Sequence, residues 1–260
     1  MQNKIFSVKD KKILITGASS GLGKHFSKIL IEAGAHVIAC ARRESLLQDL
    51  KNEVQDKIGK ITILPLDILD YNSVDTKLTE LFQSLNGIDV LINNAGYSPK
   101  VKKPVFESTL SDWDEVFDTN LKALWNLTKI AAKDMSIQKI QGSIINISST
   151  VANRTRIGNP MYGISKSAVA SLTQKLALEF AQYKIRVNAI APGFFETDMN
   201  RNYILSPQGQ ETIKRTIPLE RIGLYSELDG IIFLLASNAS TYITGECIFI
   251  DGGYVVNSIT

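Results

Sequence analysis

Short apolar runs and longer segments of helical period alternate along the chain. Seven runs read as strands: Ile13–Ile15, Val37–Ala41, Ile61–Leu64, Ile88–Ile92, Ser143–Ile147, Arg186–Ile190 and Cys247–Ile250. Most are apolar at consecutive positions, as a strand covered on both faces requires. Between them, Leu22, Phe26, Ile29, Leu30 and Ala33 recur at helical spacing, as do Val74, Leu78, Leu81, Phe82 and Leu85. Each of these helices therefore carries one apolar stripe. The alternation predicts an α/β chain, a doubly wound seven-stranded parallel sheet with helices on both faces. No Pro/Gly/Ser-rich linker, composition shift or internal repeat divides it, so residues 1–260 are read as a single domain. Ligands of such sheets collect at the carboxyl ends of the strands, where strand order reverses. Those ends carry Gly17, Asn94-Ala95-Gly96, Ser148-Ser149 and Pro192-Gly193.

The first turn reads Thr16-Gly17-Ala18-Ser19-Ser20-Gly21-Leu22-Gly23, between a strand and an amphipathic helix. Glycines let the backbone turn tightly and approach a pyrophosphate, whose charge sits against unpaired N–H groups at the helix start. Glycines also serve simple turns, but the strand before, the helix after and three glycines within seven residues favour a dinucleotide. An NAD-selective site places a carboxylate at the end of the second strand, about 20 residues beyond the glycines. Here that place is Ala41-Arg42-Arg43. With no carboxylate to repel a 2′-phosphate and a guanidinium to grip it, NADP(H) is preferred, with NAD(H) also accommodated. A solvated arginine pair is the competing reading.

Tyr162 and Lys166 open a long helical segment that continues through Val169, Leu172, Leu176 and Phe180. Four residues apart, they share a face. A phenol is a poor acid–base catalyst at its usual pKa of about 10, and an adjacent ammonium is expected to draw it toward working pH. Such a pair also occurs as mere surface neighbours, so Ser149 matters. It follows the apolar run Ile144-Ile145-Asn146-Ile147, where its hydroxyl would face the cleft and bond a substrate carbonyl, or else serve as a cap. Asn120 stands in the apolar stripe of Trp113, Val116, Phe117, Leu124 and Leu127. A buried amide needs partners, so Asn120 either ties down a backbone irregularity or holds water near the reaction centre.

Composition narrows the reading. Lys plus Arg number 29 against 26 Asp plus Glu, a formal charge of +3, which offers no field for nucleic acid or a membrane surface. The longest apolar runs, such as Gly230 to Ala236, are too short to span a bilayer. The stretch Met1 to Lys12 lacks the apolar segment and cleavage site of a secretory signal, so a cytoplasmic location is expected. Cys40 and Cys247 lie in strand-like runs and read as small core hydrophobes. His25 and His36 have no second ligand at motif spacing and read as helix-surface or loop residues, so no metal is expected.

Taken together, the Thr-Gly-x-x-x-Gly-x-Gly loop, Asn93-Asn94-Ala95-Gly96, the set Asn120/Ser149/Tyr162/Lys166, Pro192-Gly193 and the terminal Asp251-Gly252-Gly253 resemble the short-chain dehydrogenase/reductase family over essentially the whole chain. The resemblance implies a Rossmann fold. It implies that Tyr162 is proton donor or base, that Ser149 orients the substrate oxygen, and that Lys166 binds the nicotinamide ribose and lowers the tyrosine pKa. Asn120 would support a water-linked proton relay. The dinucleotide would meet Gly17, Ser19, Ser20, Gly21, Leu22, Gly23, Arg42, Asp67 and Ile68 (Asp67 at the adenine). Asn94 would lie beside the adenosine ribose with Ala95 and Gly96, and Ile190 to Thr197, including Pro192, Gly193 and Thr197, would border the nicotinamide and its phosphates.

Phe194 to Pro218 is a polar segment that does not read as another strand and is assigned to substrate selection. Locally the chain is similar to 3-oxoacyl-thioester reductases, in Pro192 to Met199, Pro218 to Gly223 and Tyr242 to Glu246. Gluconate 5-dehydrogenase-like sugar-acid enzymes and other ketone reductases have similar segments, so the substrate stays open. An acyl-carrier-protein partner would want basic residues at the cleft mouth, where Lys139, Lys184 or Lys100–Lys103 could serve, although solvated lysines are the favoured reading of each. The competing class is a dinucleotide-binding regulatory module without turnover. A nucleotide-sugar epimerase would need more chain after Ile250. The family's tetramer makes Asn120–Ala132, Ala168–Phe180 and Cys247–Val255 the expected interfaces of a homotetramer.

Overall fold

The computed structural model describes residues 4–99, 103–155, 157–158, 160–197 and 200–257. Strands β1 (Lys12–Thr16), β2 (His36–Ala41), β3 (Lys60–Pro65), β4 (Val90–Asn93), β5 (Ser143–Ile147), β6 (Arg186–Pro192) and β7 (Cys247–Ile250) form one sheet. Its order is β3-β2-β1-β4-β5-β6-β7, and every neighbouring pair is parallel. Strand order reverses between β1 and β4, so a crevice opens at their carboxyl ends. The helices are α1 (Gly21–Glu32), α2 (Glu44–Glu53), α3 (Tyr71–Leu85), α4 (Leu110–Phe117), α5 (Ala123–Ile137), α6 (Pro160–Phe180), α7 (Arg201–Ile204), α8 (Pro207–Thr216) and α9 (Asp229–Ala236). Among the described residues, no helix is long and apolar enough to cross a membrane.

Alternate strand residues feed two cores. Ile13, Ile15, Val37, Ala39, Ile92 and Ile145 pack on one face with Phe26, Leu30 and Ile232. Leu14, Ile38, Leu91, Ile144 and Val187 pack on the other with Val74, Leu78, Ala131 and Leu176. This two-sided burial is the reason the strands are apolar at consecutive positions. A third, smaller cluster of Phe194, Ile204, Ile213, Ile217 and Tyr254 lies beyond the sheet and supports the segment after β6.

The structure corrects several expectations from the sequence. β4 begins at Val90 rather than Ile88, whose N–H is taken by the Asp134 carboxylate at 3.3 Å. β6 runs on to Pro192, which pairs with Ile250. His36 is neither a helix-surface nor a loop residue: it opens β2, and its Nε2 lies 2.9 Å from the Thr62 hydroxyl on β3. Trp113 is not in the core but partly exposed, stacked on Phe117 at 4.2 Å. The helix containing Asn120 is interrupted by a π turn over Asp118–Lys122 that divides α4 from α5. Lys139 and Lys184 adopt left-handed backbone just ahead of β5 and β6, at the amino end of the sheet, so neither reaches the crevice.

Candidate active site

The loop between β1 and α1 is closed on its inner side and open on its outer side. A Cβ at Gly17 would stand 2.9 Å from Asn94 Nδ2, and one at Gly23 would stand 2.3 Å from the Gly17 carbonyl oxygen. Asn94 holds the turn from the neighbouring strand end, its Nδ2 donating to Thr16 O at 2.9 Å and Gly17 O at 3.3 Å. Thr16 Oγ1 accepts the Asn94 and Ala95 N–H groups at 3.1 and 3.0 Å. On the outer side, Gly21 has φ +53, and a Cβ there would meet nothing nearer than 4.0 Å. Ser20 precedes α1 in extended conformation and makes no side-chain cap bond, so no side chain competes for the first-turn N–H groups, including those of Leu22 and Gly23.

The two arginines at the end of β2 differ. Arg42 is exposed, with Nη1 4.0 Å from the Asp67 carboxylate. Arg43, at the start of α2, turns back over the loop and donates from Nη2 to the Ser19 and Ser20 hydroxyls at 3.3 and 3.2 Å. Asp67 also accepts the Leu69 N–H at 3.0 Å, and Ile68 is a partly buried neighbour of the second core.

Across the crevice, β4 ends in Asn93 and the turn Asn94-Ala95-Gly96. Asn120 is fully buried in the π turn. Its Oδ1 accepts the Tyr97 N–H at 2.7 Å, while its Nδ2 donates to Tyr97 O at 2.9 Å and Ser165 Oγ at 3.0 Å. The amide in the apolar stripe thus pins the chain after Gly96 to the turn before Lys166. A Cβ at Gly96 would lie 3.4 Å from Asn120 Oδ1 and 3.5 Å from Lys166 Nζ, so these groups converge on one backbone point.

Ser149 lies two residues beyond β5, capping a short turn over Thr150–Ala152 by accepting the Val151 N–H at 3.4 Å. It also hydrogen-bonds Tyr162 near the start of α6. Burial pushes the Tyr162 phenol above its usual range, and the Ser149 bond opposes that rise. Lys166 is buried, with Nζ donating to Ile147 O at 2.8 Å and lying 5.8 Å from the Tyr162 ring centroid. Burial without a carboxylate partner lowers its pKa to about 8.

Beneath these groups a buried polar ladder joins the strands to α6. Asn93 Nδ2 donates to Thr128 Oγ1 and Asn146 Oδ1, Asn146 Nδ2 donates to Thr173 Oγ1, and Ser148 Oγ donates to Lys166 O. Each distance is 2.8 to 2.9 Å. Sequence reading missed this ladder, and also the positions of Thr16 and Arg43. Polar residues inside apolar strands (Asn146) and on the buried side of a helix (Thr173) were the available signal.

On the far side, Gly193 packs against Asp251, where a Cβ would come within 2.8 Å of the Asp251 Cα, and Pro192 pairs with Ile250. Thr197 borders the crevice opposite Gly21, its N–H held by Asn200 Oδ1 at 2.8 Å. Among the described residues, the segment assigned to substrate selection contains α7 and α8 and no strand, only an isolated bridge from Phe195 to Gly223. Asp198 and Met199 lie outside the described residues, as do Lys100 and Lys102 of the proposed basic cluster. Lys103 is spent on Asp112 at 2.7 Å. The crevice gathers Gly17 to Gly23, Asn94 to Gly96, Asn120, Ser149, Tyr162, Lys166 and Pro192 to Thr197 along the carboxyl ends of β1, β4, β5 and β6.

A family profile described as "Enoyl-(Acyl carrier protein) reductase" matches residues 17–255. The 3-oxoacyl-[acyl-carrier-protein] reductase FabG of Thermotoga maritima is 37% identical, over 96% of this chain and 99% of its own. A short-chain type dehydrogenase/reductase from Mycobacterium marinum superimposes with a TM-score of 0.91 at 33% identity, covering 98% of this chain and 99% of that one. A gluconate 5-dehydrogenase from Burkholderia cenocepacia, in complex with NADP and tartrate, gives a TM-score of 0.91 at 29% identity, with 98% and 99% covered. Fold, crevice and likeness agree: the chain belongs to the short-chain dehydrogenase/reductase family, oxidoreductases that act on CH–OH and C=O groups with a nicotinamide dinucleotide.

Proposed function

We propose that this protein interconverts a ketone and a secondary alcohol with NADP(H), Tyr162 holding the proton that moves. The observation that carries the reading is the Ser149–Tyr162 hydrogen bond beside the buried Lys166. The phenol carries its proton at neutral pH and so has one to give to a carbonyl oxygen; burial makes it a weaker acid, and the Ser149 bond offsets part of that rise. Ser149, bonded to that phenol, orients the same oxygen. Lys166 contributes a buried positive group beside Gly96 and Asn120, and Asn120 fixes the backbone at Tyr97 and supports a proton relay.

The chain's residues fit a dinucleotide: the outer side of the loop at Gly21 is open, and the helix start behind it has no side-chain cap. Gly17, Ser19, Ser20, Gly21, Leu22 and Gly23 would hold the pyrophosphate, with Asp67, Ile68, Asn94, Ala95 and Gly96 along the adenosine. Pro192, Gly193, Thr197, Tyr162 and Lys166 would flank the nicotinamide, which supplies or accepts the hydride when bound. Arg42 and Arg43, with no carboxylate at the end of β2, favour a 2′-phosphate and so NADP(H) over NAD(H). The NADP in the Burkholderia neighbour supports the same choice.

Residues 194–218 form the substrate-binding wall in this reading. The Thermotoga relative supports a 3-oxoacyl thioester, and the Burkholderia neighbour supports a sugar acid. The enzyme is proposed as a cytoplasmic homotetramer. Trp125 on α5 and Leu178 on α6 are exposed at 44% and 82%, and β7 is an edge strand, which supports interfaces at α5, α6 and the C-terminal strand. Sedimentation at about four times 28.7 kDa is the expected result.

The test of function is NADPH oxidation screened across 3-oxoacyl thioesters, keto-sugar acids and simple ketones. Turnover of at least one class, faster with NADPH than NADH, is expected. Tight NADPH binding with no turnover on any class would instead make the protein a dinucleotide-binding regulatory module.

A further inference from the structure

The segment joining Ser149 to Tyr162 carries a guanidinium that the proposed chemistry leaves idle. Arg154 follows the Thr150–Ala152 turn, its backbone N–H bonded to Thr150 O at 3.0 Å. Its half-buried side chain crosses to the C-terminal segment, where Nη1 donates to the Tyr254 carbonyl and the guanidinium lies 4.3 Å from the Tyr254 ring centroid. Tyr254 in turn meets Phe194 edge to face at 5.5 Å, directly after Pro192-Gly193. Arg154 therefore ties the turn after Ser149 to the segment that follows β7, whose Tyr254 packs on Phe194, the first residue of the proposed substrate-binding wall.

Three cations, two of the lobe after β6 and one ahead of α4, are neutralised: Arg201 by Glu196 at 2.8 Å, Arg221 by Glu227 at 2.7 Å and Lys103 by Asp112 at 2.7 Å. Among the described residues no carboxylate pairs with Arg154. A guanidinium cannot shed its proton, and stacking on Tyr254 fixes its plane. With one nitrogen engaged, its remaining N–H groups present the fork that a carboxylate accepts in two parallel bonds. We propose that Arg154 is the specificity residue for a carboxylate on the substrate, which makes the substrate a hydroxy- or oxo-acid anion rather than a neutral acyl thioester. The inference rests on Ser149 and Tyr162 as the reacting pair.

The test compares acids with their primary amides in the NADP+ reaction, gluconate against gluconamide and 3-hydroxybutyrate against 3-hydroxybutyramide. A carboxylate paired with an arginine predicts kcat/KM about 30-fold higher for the preferred acid than for its amide. Arg154→Leu should bring that ratio to about one through KM, and Arg154→Lys should keep part of it. Gluconate and tartrate are also titrated calorimetrically into the NADP+-saturated protein, where Arg154→Leu should weaken acid binding about 30-fold. A wild-type ratio near one for both pairs, a ratio that Arg154→Leu leaves unchanged, or 3-oxoacyl thioesters turned over faster than any acid would overturn the proposal. Absence of all turnover counts against the catalytic reading alone. The titration then decides: binding that depends on Arg154 upholds the carboxylate site, and no binding refutes it.

Discussion

The wall formed by β5 and α6 and the lobe after β6 face each other across the crevice, and they are held in opposite ways. In the wall, Asn146, Ser148 and Lys166 each bond a neighbouring element inside the core, and the ladder continues to Thr173. Breaking one such bond leaves a buried polar group unsatisfied, at about 1–3 kcal/mol. The lobe rests on a small apolar cluster and on exposed ion pairs, Glu196–Arg201 and Arg221–Glu227. Exposed pairs contribute little and open readily. In the proposed reading, the reacting groups therefore sit on the wall whose buried bonds are costly to break, and the surface assigned to substrate selection sits on the lobe held by weaker ones.

The largest effect is expected at the loop between β1 and α1, where the backbone leaves no room for a side chain at Gly23. Gly23→Ala would drive a Cβ to 2.3 Å from the Gly17 carbonyl, so the loop must deform. Overpacking of this kind costs about 1–3 kcal/mol, and NADPH binding, followed by its fluorescence, should be lost. If Gly23→Ala binds NADPH normally, the loop is not the rigid cradle described.

Next comes the buried ammonium. Lys166 titrates at about 8 in the fold and at 10.5 as a free lysine. Between those values the unfolded chain binds more protons than the folded one, so stability rises with pH across this window. Below about pH 8 the penalty is whole, about 3 kcal/mol. Lys166→Met removes it. The unfolding free energy of wild type minus that of Lys166→Met should therefore climb by about that amount from pH 8 to 10.5, measured by urea denaturation. A flat difference would place the ammonium in solvent.

The smallest effect belongs to the lobe. Arg221→Ala breaks the bond that holds the Glu227 carboxyl down to about 2, yet both groups are exposed. The melting temperature should stay within experimental scatter. A large drop would show that the lobe is locked as firmly as the wall.

Much of this was legible in the sequence because burial on both faces forces consecutive apolar residues, and because reactive groups stand where those runs end. Ser149 and Asn94 are positioned by the strands before them, and Lys166 by the period of α6. Arg42 and Arg43 give the same signal in sequence. They differ only because Arg43 starts α2 and folds back over Ser19 and Ser20. Asn120 announced an irregularity, but two of its three hydrogen bonds go to the backbone of Tyr97, which carries no side-chain signature. Lys139 and Lys184 lie at the amino end of the sheet, away from the crevice, for a related reason: composition gives charge, and only chain direction tells which end of the sheet receives it.

The central claim is that Tyr162 donates the proton, and Tyr162→Phe tests it most directly because the ring stays and only the hydroxyl leaves. On a substrate established by the screen, kcat should fall by about 10²–10⁴ while NADPH affinity stays within about twofold. Turnover near the wild-type rate would assign the proton to another group and remove Tyr162 from the reaction.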